Sequence, residues 1–169
     1  MGRHSSKGFS LIELLIVVAI ILIIAAIAIP NLIRSRIAAN EASAVSTLRM
    51  LNNAEVTFAL TFSSGYTENL TRLGPPPAGT QADMNRADLV DPILSGLGPG
   101  GGSTVFTKSG YTFTYSPIGG TTLGSVTSYQ ITSDPQIRGS SGQRSFFTNE
   151  PLLIRFNGSV PATVSDAPL

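Results

Sequence analysis

The chain has no cysteine, no tryptophan and a single histidine, His4. Without cysteine it can form no disulfide, no thiolate-held zinc or iron–sulfur centre and no thiol nucleophile. One histidine, in the first eight residues, builds neither a Ser–His–Asp triad nor a multi-histidine metal site. Charge is also scarce. Only 12% of residues are charged, and 11 Lys and Arg face 10 Asp and Glu. Lys108 is the only lysine beyond the first eight residues. A nucleic-acid surface needs clustered basic side chains, and none is visible here. The acidic residues show no paired motif, so neither an enzyme nor a cofactor is expected. No aromatic residue lies between Phe9 and Phe58, and no glycine between Phe9 and Ser64. The first absence removes any continuous aromatic path along that stretch.

The chain does have one long apolar run. From Phe9 to Ile33 the only ionisable side chain is Glu13, and residues 14–29 are unbroken apolar until Pro30. About 20 such residues span a hydrocarbon core of about 30 Å, so the run is long enough to cross a bilayer. A short basic leader, residues 1–8, precedes it. An ordinary secretory signal is cut after its apolar stretch; a cut before it, between Gly8 and Phe9, would leave the helix on the mature chain. Gly8 has no side chain to obstruct an extended backbone in a protease cleft. A carboxylate at mid-membrane costs about 2.5–3.5 kcal/mol. Glu13 either snorkels cheaply from near the interface or pairs with a cation. Pro30 removes a backbone hydrogen bond and crowds the turn near Ala26.

The stretch K-G-F-S-L-I-E-L-L-I-V-V-A-I-I-L-I-I-A-A-I-A-I-P, residues 7–30, resembles the N-terminal signature of type IV pilins and of the type II secretion pseudopilins. The resemblance implies several things. A membrane peptidase and methyltransferase would cut after Gly8 and N-methylate Phe9. Glu13 would pair with the new amine of Phe9 on a neighbouring copy, which fixes register and relieves a buried charge. The backbone before Pro30 would loosen during assembly; a plain kink is the alternative. The expected fold is α+β: a long N-terminal helix, part transmembrane, packed on a small antiparallel sheet of about four strands. The expected role is a filament subunit, held in the inner membrane and then polymerised with copies of itself by an assembly platform into an extracellular pilus. Nucleic acid and small-molecule substrates are not expected partners. A periplasmic pseudopilus subunit, and a membrane-anchored binding module or minor tip pilin, are the alternatives. The scattered Asp134, Glu150 and Asp166 do not reproduce the calcium site of major pseudopilins.

Beyond Pro30 the helical period continues to about Phe62. Ile33, Ile37, Ala44, Leu48, Leu51, Phe58 and Phe62 form one stripe, which Asn40 and Glu55 interrupt. The stripe is assigned to the chain's own sheet, and a second side with Val45, Val56 and Leu60 to neighbouring copies. The composite helix, residues 10–62, would be about 80 Å long. The organisation expected is a leader (1–8), a membrane or filament-core helix (9–30), its amphipathic continuation (31–63), a connecting region (64–104) and a sheet domain with tail (105–169). Gly65–Tyr66 reads as a glycine cap followed by a packed tyrosine. Thr67–Gly74 reads as polar loop, residues 83–94 as a short helix, and Gly98–Ser103 as a flexible surface loop without the pattern of a phosphate-binding loop. Period-two alternation places strands at Tyr111–Tyr115, Ser125–Thr132, Ser145–Thr148 and Leu152–Phe156, with Val105–Thr107 a possible short partner. Residues 134–143 read as a loop, and 160–169 as a loose tail.

Overall fold

The computed structural model describes residues 9–169. The chain divides into two compact units between Arg36 and Ile37. One helix, α1 (Leu11–Phe62), is assigned across that boundary, with Pro30 inside it.

The second unit is a β head built on the later turns of α1. Five strands follow the helix: β1 (Val105–Lys108), β2 (Tyr111–Ile118), β3 (Ser128–Pro135), β4 (Ser145–Asn149) and β5 (Arg155–Asn157). They form one antiparallel meander in chain order. This is an α+β architecture, with one strand more than about four because Val105–Lys108 pairs in full with β2. Alternation decides which face turns inward. Phe106, Tyr111, Phe113, Tyr115, Tyr129, Ile131 and Phe146 are all buried against the helix. The register stacks Phe106 on its partner Phe113, ring centres 4.6 Å apart. The helix answers with Ala44, Leu48, Leu51, Ala54 and Phe58.

Several expectations need correction. Val45, assigned to a neighbouring copy, is buried in the head's own core, whereas Leu60 is 77% exposed. Ile33 at the start of the stripe is exposed. Glu55 does not interrupt the buried stripe but lies within it, fully buried. No helix forms at residues 83–94. Asp83 and Arg86 instead close a tight bridge, Asp88 takes a left-handed φ of 54°, and Asp91 caps a turn by accepting from the N–H groups of Ile93 and Leu94. The helical turn is a 3-10 turn at Leu70–Leu73, capped by Asn69, in the stretch read as polar loop; it buries both leucines. Gly98–Ser103 is tied in by backbone bonds from Gly102 to Val105 and from Leu70 to Ser103.

Strand β3 runs on through Asp134 and Pro135, which pair with Thr112 and Tyr111, so the loop is shorter than 134–143. The C-terminal segment is not loose. Phe156 N–H donates to Ala167 O and Leu169 N–H to Ile154 O. Asp166 accepts from Asn157 Nδ2 at 2.8 Å and from Thr163 N–H at 2.7 Å. This segment caps the β5 edge, which would otherwise present unpaired backbone groups. It also explains why β4 is buried on both faces. Phe146 faces the helix, while Phe147, on the outer face, shares a cleft of about 270 Å³ with Ala162 and Val164.

After Phe62 the chain turns through Ser63 and Gly65, both at positive φ. A Cβ on Gly65 would lie 2.5 Å from Val126 O, so glycine is required there for space as well as for conformation. Tyr66 then packs edge-on against Tyr129, ring centres 4.9 Å apart, as the cap-and-packed-tyrosine reading expects.

Candidate functional site

In the first unit the helix is capped by Ser10, whose carbonyl accepts from Leu14 N–H at 3.2 Å. Ser10 N–H in turn donates to Glu13 Oε2 at 2.9 Å. This is the acidic half of a capping box, Ser-x-x-Glu. Glu13 therefore has a local task in a single chain: it satisfies an N–H that the helix start leaves free. The carboxylate of an N-terminal turn also complements the helix dipole. Its other oxygen carries no hydrogen bond among the described residues.

Every large side chain from Phe9 to Ile29 that could drive folding is exposed, including Leu14, Leu15, Ile20, Ile23 and Ile27. The most apolar stretch of α1 is long and apolar enough to cross a membrane and has none of its residues buried. Continuous exposed apolar surface of this extent marks contact with lipid or with another protein. Gly8, the expected cut site, lies outside the described residues. Phe9 and Glu13 are both exposed and one helical turn apart in sequence, and Pro30 sits within α1.

The head contributes two acidic residues that were not singled out as sites. Glu41 Oε1 accepts from Gln143 N–H (2.9 Å) and Arg144 N–H (3.0 Å), and its Oε2 from Arg144 Nε (2.8 Å). The Arg144 guanidinium also lies 5.6 Å from the Phe146 ring and 5.4 Å from the Phe156 ring. Burial pushes the Glu41 carboxyl up, but the bonds from Arg144 and Gln143 outweigh it and the net shift is downward. Asn40 Nδ2 donates to Ser141 O at 2.7 Å, which ties down the same loop. Glu55, two heptads along, is held by Thr67. The spacing was the available signal: Glu41, Ala44, Leu48, Leu51, Glu55 and Phe58 recur at three and four residues, so both acids share the buried face.

The whole arrangement is that of a membrane-anchorable helix carrying a β head. Comparison with known proteins narrows it. Residues 3–29 match the family described as the prokaryotic N-terminal methylation motif. A 53-residue segment is 49% identical to the type IV major pilin protein PilA of Myxococcus xanthus, covering 31% of this chain and 24% of that protein. A 38-residue segment is 60% identical to the type IV wide pilus major component PilA4 of Thermus thermophilus, covering 22% of this chain and 29% of that protein. The matched segments thus span less than a third of each relative's length. These findings support the type IV pilin family for this chain.

Proposed function

We propose that the chain is the structural subunit of a type IV pilus. It is anchored in the inner membrane by residues 9–30, cut between Gly8 and Phe9, methylated on the Phe9 amine and polymerised with copies of itself into a surface fibre. Adhesion, motility or DNA uptake would then be properties of the fibre. The observation that carries this reading is the wholly exposed apolar helix inside the methylation motif. Outside lipid, packing against other copies would cover such a surface. Glu13 supports it further, because its free oxygen can accept the Phe9 amine of an adjacent subunit while the other keeps the Ser10 cap. Methylation leaves that amine charged, and an ion pair inside a dry helix bundle is strongly destabilised when one member is removed.

Mass spectrometry of purified surface fibres tests this directly. The expected N-terminus is methylated Phe9; an intact Met1 in assembled fibres overturns it. Glu13→Val is expected to leave a processed, membrane-inserted subunit that yields few or no fibres. Wild-type fibre yield from that variant rules out the pairing.

A further inference from the structure

The apolar run of α1 is closed at each end by a charged side chain. Glu13 stands before it, and Arg34 follows directly after Ile33. The stretch between them, Leu14 to Ile33, is about 20 residues, or about 30 Å of helix. That matches the hydrocarbon thickness of a bilayer, about 30 Å. With Glu13 at one boundary, Arg34 therefore reaches the other, and Arg36 stands just outside it. The large apolar side chains of the last turns, Ile29, Leu32 and Ile33, are all exposed, as a run that faces lipid to its end requires.

These two arginines are the only basic side chains between Phe9 and Arg49, and both are exposed. The ion pairs among the described residues, Arg72–Glu68 and Arg144–Glu41, leave both out. The next acid on α1, Glu41, is already taken by Gln143 and Arg144. A cation at a membrane boundary that no protein acid answers finds its counter-charge in the lipid headgroups. The side chain suits that partner. A guanidinium presents its N–H donors in a planar fork that matches two phosphate oxygens, and it holds water less tightly than an ammonium does. Its apolar stem can lie along the run while its head reaches the phosphate layer.

The two positions do not form one docking patch. At about 100° per residue they stand about 200° apart around the axis, on nearly opposite sides of the helix. A pair on one side would hold one lipid and let the helix tilt about it. A pair on opposite sides reaches separate lipids and resists both tilt and sliding.

We propose that Arg34 and Arg36 bind the headgroup phosphates of membrane phospholipids and so fix the depth at which the subunit sits in the bilayer. The proposal rests on the membrane-anchored reading of residues 9–30 above. Packing into a fibre asks for no match between the Glu13–Arg34 spacing and hydrocarbon thickness, so that match favours lipid over a second copy as the partner. A subunit entering a fibre gives up both phosphate contacts as it leaves the membrane.

The test uses the full-length chain in vesicles of phosphatidylcholine and phosphatidylglycerol. With carbon-13 at the arginine guanidinium carbons, solid-state NMR reads contact with lipid phosphorus as a loss of carbon signal. Part of that loss is expected to disappear in the double variant Arg34→Gln/Arg36→Gln, whose positions are exposed and support no core. The chain has no tryptophan, so a single Leu22→Trp or Leu32→Trp reports depth through quenching by brominated lipids. Leu22→Trp is expected near mid-bilayer with or without the arginines, and Leu32→Trp is expected to move deeper in the double variant. Equal phosphorus contact in parent and double variant, with Leu22→Trp still deep, overturns the anchor and leaves the membrane reading standing. A Leu22→Trp that deep quenchers do not reach overturns both. A double variant with unchanged contact and depth but few fibres assigns the arginines to packing between copies, which also overturns the anchor.

Discussion

One helix serves two regions by opposite rules. From Leu14 to Ile29 it is apolar on all sides, and among the described residues none of these is buried. From Glu41 to Phe58 it is apolar on one side, and that side is buried under the sheet. The first part satisfies its backbone within itself, as only helices and closed barrels can in lipid. The second gains its stability from tertiary packing of one face. The contrast explains the placement of the three acids of α1. Glu13 sits at a helix start, where it caps. Glu41 and Glu55 sit on the buried stripe, where each needs donors from the head.

The largest effect that could break this comparison is in the core. Phe58→Ala should destabilise the head by about 4 kcal/mol through lost burial and a cavity. Ile20→Ala, although it also removes a large apolar side chain, should change head stability by less than about 0.5 kcal/mol. Thermal unfolding of both variants in the same detergent checks this. A large loss from Ile20→Ala would mean that the exposed half supports the head. Glu41→Ala comes next, at about 2 kcal/mol, because it leaves the N–H groups of Gln143 and Arg144 without an acceptor; the half-exposed guanidinium adds little. Since its carboxyl titrates below the usual 4.5, the contribution of Glu41 is present above that value and is lost as pH falls further. A urea titration repeated at decreasing pH should show the Glu41→Ala penalty shrinking in acid. Leu60→Ser should give the smallest effect, within about 0.5 kcal/mol, because the side chain is exposed. A much greater loss of stability would place Leu60 in the core.

The readable parts and the missed parts differ for physical reasons. Period-two alternation exposed β2 and β3 because each buries one face only. Val105–Lys108 was too short for its period to stand out, and its pairing with β2 is what makes it a strand. Residues 83–94 carry helix-compatible residues, yet backbone bonds from Ala87, Leu89 and Val90 to Arg72 and Leu73 tie the middle of the stretch to the 3-10 turn. Local propensity was outweighed there by contacts distant in sequence. The tail has no periodicity at all, since its order comes from Asp166 and from the edge of β5.

The sequence alone determined the apolar run, its lone acid at the entry, the proline and the leader, because lipid-crossing depends on length and composition and needs no partner within the chain. It also determined the sheet's inward face. Only the tertiary structure decided what Glu41 and Glu55 are for. An acid on an apolar stripe looks like an interruption until the donors that meet it are known, and those donors lie far along the chain at Gln143 and Arg144 or across the turn at Thr67.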